Sequence, residues 1–179
     1  MRHFLLILIL FFGVIKPGIG QAVKVPSIKD KSTITYSMVH PLHKWDGVSK
    51  EVSSVILTDA SRSVITQVAV TAKLASFDSK NANRDSHMLE VAEGIKFPNV
   101  TFAGSDIQQK DGKLLVKGKL TFHGITRDLS FEAVRKDEGK VILISGGFDV
   151  KLSDFNIEPP SILGFATEDS FKIKFTMAY

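Results

Sequence analysis

Alternation with period two dominates this chain from about residue 32 onward, which is the pattern of half-buried β-strands. In STITYSM, Ile34, Tyr36 and Met38 alternate with Thr33, Thr35 and Ser37. In SVITQVAVTAKL, Val64, Thr66, Val68, Val70 and Ala72 fall on one face. Leu114, Val116, Leu120 and Phe122 share a face opposite Lys117, Lys119, Thr121 and His123. Leu129, Phe131 and Ala133 repeat the pattern, as do Phe148, Val150 and Leu152. The cleanest run is the last, where Phe171, Ile173, Phe175 and Met177 alternate with Lys172, Lys174 and Thr176. SSVIL near Val55 and VILIS near Val141 are apolar on both faces and read as more deeply covered strands. Asp46-Gly47, Asp111-Gly112, Glu138-Gly139 and Pro159-Pro160 punctuate these runs with turn chemistry. One wet face, short connections and about eight strands predict an antiparallel meander. Closing that sheet, or nearly closing it, into a barrel removes its exposed edges.

One segment departs from period two. Met88, Val91, Ala92 and Ile95 recur at three and four residues, which predicts a short helix over 85–95 with Asn83 or Asp85 as its cap. The fold class is therefore all-β with one short helix. No internal repeat or linker interrupts it, so a single domain is expected over 23–179.

The start of the chain reads differently. A short basic end, Met1-Arg2-His3, precedes the apolar run Phe4–Ile15 and then the small residues of KPGIGQA. This is the layout of a secretory signal, with cleavage expected after Gly20 or Ala22. The apolar run is twelve residues long, against about 20 for a spanning helix, so a removable signal is expected rather than a membrane anchor. Losing 1–22 takes Arg2 and Lys16, leaving 21 basic against 19 acidic residues, a net charge of +2. That is too mild to point to nucleic acid or an anionic membrane surface. Cysteine is absent, which excludes disulfides, thiolate chemistry and a lipid anchor at the cleavage site.

Candidate chemistry is thin. HPLHKWD offers His40, His43 and Asp46, but odd spacing along one strand sends the two imidazoles to opposite faces. NRDSHM offers Arg84, Asp85 and His87, which also suit a helix start, where an acid meets the positive end of the dipole. There is no G-x-S-x-G elbow, no H-E-x-x-H and no glycine-rich phosphate loop. No catalytic residue, metal site or cofactor is expected. In LTFHGITRDLSF, His123 to Asp128 read as a hairpin turn, with Arg127 and Asp128 a solvated charge pair.

Phenylalanine is the unusual feature: ten of the thirteen lie beyond the expected signal, against two tyrosines and one tryptophan. Many fall on the apolar strand faces. An eight-stranded barrel is just wide enough to hold a narrow ligand, and periodicity alone does not separate a filled core from a tunnel.

FPNVTFAGSDI from Phe97 and VKGKLTFHGITRDLSFEAV from Val116 resemble the central signature of the YceI-like proteins. Pro98, Phe102, Ser105, Gly118, Leu120, Thr121, Gly124, Ile125, Thr126 and Arg127 meet that pattern. NRDSHML resembles the family's helix start, and LSDFNI and EDSFKIKFTMA also fit, so the likeness runs from about Ser32 to Ala178. LEVAEGIK stands where the family often has an aromatic-rich segment near the tunnel mouth. The resemblance implies a lipocalin-like barrel exported to the periplasm, non-catalytic, with a tunnel for a polyisoprenoid or isoprenoid-quinone chain. Face alternation plus the helix select Tyr36, Met38, Met88, Phe102, Phe122, Phe131, Phe148, Phe171 and Phe175 as its apolar lining. The alternative is a structural barrel with a filled core that binds a partner protein through its loops.

Overall fold

The computed structural model describes residues 21–162 and 164–179; the expected signal lies outside them apart from Gln21 and Ala22. The strands are β1 (Val23–Pro26), β2 (Thr33–His40), β3 (His43–Ser49), β4 (Val52–Thr58), β5 (Ile65–Lys73), β6 (Asn99–Lys110), β7 (Lys113–Phe122), β8 (Ile125–Glu138), β9 (Val141–Lys151), the two-residue pair β10 (Ser161–Ile162) and β11 (Phe165–Ala166), and β12 (Ser170–Ala178). All but β10 and β11 form one antiparallel sheet in the order β1-β4-β5-β6-β7-β8-β9-β12-β2-β3. Ten strands therefore replace the expected eight or so. The excess comes from β1 and from short strands that lack a full alternating run.

The sheet curls strongly into a lipocalin-like barrel. Its edges, β1 and β3, are not paired with each other. The gap is bridged by the two-residue link from β3 to β4 and by reciprocal bonds between Val48 and Asp78, N–H to O 3.0 Å each way. At the far end the Ile28 N–H donates to Ala178 O at 2.7 Å, and Tyr179 and Ile142 exchange backbone bonds at 2.9 Å. These bonds tie the region of the two edges together at separate points without full closure, which shields part of an edge that could otherwise template other chains.

Three local expectations change. The helix α1 spans Ala82–Val91 and is capped by Asn81, whose side chain accepts from the Arg84 N–H at 3.1 Å. It ends in a Schellman pattern: Glu93 takes the left-handed conformation (φ 45°) and the Gly94 N–H reaches Leu89 O at 2.7 Å, satisfying a carbonyl the helix leaves open. In β5 the parity slips, because the ladder skips Thr66 between Leu57 and Thr58. This bulge turns Ile65 inward, 1% exposed, and leaves Val64 49% exposed, since one extra residue flips the faces that follow.

The third change concerns the β7–β8 hairpin. Its turn is only His123-Gly124, with φ of 49° and 72°, the positive angles that a two-residue hairpin demands. Ile125 to Asp128 belong to β8. Arg127 and Asp128 do not pair with each other: Arg127 Nε donates to Asp154 O at 2.9 Å, and Asp128 meets Lys119 at 2.8 Å. His123 is structural, its ring nitrogens 2.9 Å from Phe155 O and 2.8 Å from Glu93.

Candidate ligand-binding cavity

Inward parity on every long strand points apolar side chains at a shared space, and that space is not full. A cavity of about 490 Å3 runs inside the barrel. The nine residues selected by face alternation and the helix all lie on its wall: Tyr36, Met38, Met88, Phe102, Phe122, Phe131, Phe148, Phe171 and Phe175. The phenylalanines decide between filled core and tunnel. Phe131 packs against Phe102 (5.4 Å between centroids), Phe148 (5.1 Å, stacked) and Phe175 (5.5 Å, edge-on). Yet Phe131, Phe148, Phe171 and Phe175 remain only half-buried, because their inner faces meet empty space instead of a facing side chain.

The wall includes both Thr167, before β12, and Tyr179, just past its end. The nine residues of β12 span about 30 Å at roughly 3.3 Å per residue. The cavity is accordingly long and narrow. Its exposed lining residues are Thr101 on β6 and, beside α1 and the β2–β3 hairpin, His43, Asn81, Asn83 and His87; the last four mark its opening. The mouth therefore lies between α1, the β2–β3 hairpin and the segment leading into β12.

Alternation overlooked the polar rim. Trp45, Arg84 and Thr167 also line the cavity. Arg84 lies over the Trp45 ring at 5.1 Å, and donates to Ser79 through Nε (2.8 Å to Oγ) and a terminal nitrogen (2.7 Å to O). Asp85 accepts from the Ser79 N–H at 3.1 Å. Arg84 and Asp85 thus organise the approach to the helix, and their spacing in NRDSH was the one available signal. The Tyr36 ring lies across Gly47 on β3, where any Cβ would overlap it. Burial pushes the Tyr36 hydroxyl pKa up, partly offset by the Trp45 side chain.

Among the described residues the histidines do not gather into a metal-ligand cluster. His40 and His43 face each other across the β2–β3 turn with ring centroids 5.3 Å apart and planes tilted by 46°; they come together because they sit on paired strands, not on one. Both His40 nitrogens are engaged, Nδ1 by the Leu42 N–H at 3.2 Å and Nε2 by Phe165 O at 3.0 Å. Among the described residues no three potential ligands gather. His87, at the cavity mouth, lies 3.5 Å from Glu90 one turn further along α1.

This architecture has known counterparts. The model of the YceI-like domain matches residues 27–179. The chain belongs to the YceI-like family. A UPF0312 protein of Pseudomonas fluorescens is 34% identical over 139 residues, covering 72% of this chain and 69% of the relative. The crystal structure of BcnA from Burkholderia cenocepacia superposes with a TM-score of 0.76 at 21% identity, covering 86% of this chain and 99% of BcnA. A domain from Saccharophagus degradans, described as polyisoprenoid-binding and implicated in plant cell wall breakdown, gives a TM-score of 0.71 at 12% identity, covering 86% and 97%. At such identities the two solved structures establish that this YceI-like chain shares their fold. Among the described residues no helix is long and apolar enough to cross a membrane.

Proposed function

We propose that this chain is an exported, periplasmic, non-catalytic carrier that sequesters a long apolar chain of isoprenoid or isoprenoid-quinone type inside the barrel. The observation that carries the reading is the phenylalanine-lined cavity that runs along β12. Water in such a space finds few polar partners and is readily displaced by hydrocarbon. Each buried methylene is worth about 0.8 kcal/mol, so ten carbons supply roughly 8 kcal/mol before ordering costs. The polyisoprenoid-binding description of the Saccharophagus domain agrees with this chemistry, and the signal-like start of the chain agrees with export. A filled-core interaction barrel fits less well, because it requires facing side chains where the cavity lies.

Native protein should yield an apolar chain on solvent extraction and mass spectrometry. Val70 lines the cavity, and Val70→Trp should abolish that recovery while leaving the circular dichroism of the barrel intact. Repeated extraction of wild-type protein without any apolar molecule would sink the reading.

A further inference from the structure

Single apolar side chains on a surface need no explanation, but large ones gathered at one edge of a binding site do. Leu42 is 63% exposed and Phe165 is 55% exposed. Leu42 stands at the apex of the β2–β3 hairpin, and Phe165 opens β11 just past the β10–β11 turn. They are far apart in the chain, yet one imidazole holds both backbones. His40 Nδ1 accepts from the Leu42 N–H at 3.2 Å, and His40 Nε2 lies 3.0 Å from Phe165 O. His40 is 2% exposed, so the two hairpin tips are set side by side by a buried tie.

This pair borders the cavity mouth. His43, next to Leu42, is on the cavity wall, as are Pro160 and Thr167 at the base of the β10–β11 hairpin. The Thr167 N–H bonds Pro160 O and the Glu168 N–H bonds Val39 O, each at 2.9 Å, which clamps that hairpin to β2. Along β3 the apolar apex gives way to His43 and Trp45, whose rings pack at 5.1 Å between centroids. Arg84 then lies over Trp45 at 5.1 Å. An apolar tip followed by rings with one polar atom, and then by a cation, matches the boundary between hydrocarbon and water.

Charge narrows the partner. The two hairpin segments, 41–45 and 158–168, carry one lysine and two glutamates, which offers nothing to a strongly charged protein or to an anionic surface. A long apolar chain, moreover, is held in a lipid phase rather than free in water. We infer that the rim formed by Leu42 and Phe165 docks on a lipid bilayer, inserting both side chains and setting the cavity mouth against the membrane. The inference rests on the lipid-carrier reading and adds to it the surface from which the ligand enters. Two apolar side chains give reversible adsorption rather than anchoring, as a carrier that must leave again requires.

The test sediments the protein with sucrose-loaded phosphatidylcholine vesicles. A fraction should pellet with them, and added salt should not release it, because screening does not weaken an apolar contact. Leu42→Ser and Phe165→Ser should each lower the partition coefficient about tenfold, as losing the burial of half a large apolar side chain would give. Both residues are exposed, so the fold is not at stake. Ile95→Ser is the control: Ile95 is fully exposed beyond the other end of α1 and off the cavity wall, and its loss should change nothing. No pelleting of the wild type, equal loss in all three variants, or binding that needs anionic lipid and disappears in salt would each overturn the docking surface. A dimer that Leu42→Ser dissolves, with no vesicle binding, would assign the rim to a second copy and overturn it too. An apolar chain extracted from protein that ignores vesicles would sink the docking alone. Vesicle binding through this rim by protein that never yields such a chain would sink the carrier reading alone.

Discussion

Tyr36 and Tyr179 are the two tyrosines of the chain, and they sit in contrasting regions of the same barrel. Both are buried and both line the cavity. At the floor, Tyr179 donates to Ser54 Oγ at 2.6 Å, and Ser54 passes its own proton to Ala69 O at 3.0 Å. Nearby Ser32 Oγ donates to Ile28 O and accepts from the Ala178 N–H. Every hydroxyl there is accounted for within the protein. Toward the mouth, the Tyr36 and Thr167 hydroxyls make no close, well-aligned hydrogen bond, although the Trp45 and Ser79 side chains lie near enough to Tyr36 to lower its pKa a little. The floor is more fully hydrogen-bonded than the mouth.

Cavity-forming substitutions should widen this contrast most. Ile142, at 4% exposure, is off the cavity wall and exchanges backbone bonds with Tyr179; Ile142→Ala should cost roughly 2–5 kcal/mol. Phe171 is half-buried on the tunnel wall, and Phe171→Ala should cost clearly less although it removes a larger group. Urea denaturation of the ligand-free proteins ranks the two, and the reverse order would mean that the tunnel wall is packed like a core.

Alkali should act next. Burial pushes the Tyr179 pKa up from 10.0 to about 12, with Ser54 offsetting part of the rise. The fold therefore favours the neutral phenol: its contribution is complete below pH 10 and is lost as pH climbs through about 12. That loss is roughly 2–3 kcal/mol. Urea midpoints at pH 9 and pH 11.5 should fall for the wild type and fall much less for Tyr179→Phe. Tyr36 is shifted in the same direction, so a residual fall in that variant is expected.

The sharpest comparison has the smallest effect. At neutral pH, Tyr179→Phe breaks a satisfied pair and should cost about 1 kcal/mol. Tyr36→Phe removes a hydroxyl that has no partner, and should leave the ligand-free protein equally stable or up to about 1 kcal/mol more so. Opposite signs are expected, and equal losses in thermal or urea unfolding would show that Tyr36 is satisfied in solution.

Much of this wall was legible in the chain. Phe122, Phe148 and Phe171 fall on the cavity wall because strand side chains alternate strictly, so apolar parity names the inward face. Val64 misled because a bulge at Thr66 shifts parity without changing composition. The helix was found one turn late because Asn81, not Asn83 or Asp85, supplies the cap. Trp45, Arg84 and Thr167 were missed as lining because they come from a hairpin, a helix start and an irregular segment, where no period points inward. His40 and His43 came together only through pairing across a turn.

The sequence by itself determined the strand pattern, the inward faces, the single helix and the family, since all of these follow from short-range backbone geometry and local residue choice. The tertiary structure alone decided that the interior is hollow, that one tyrosine is satisfied and the other is not, and where the cavity opens. Those properties depend on how far apart opposite walls stand, and that distance is set collectively by the curl of ten strands rather than by any one of them.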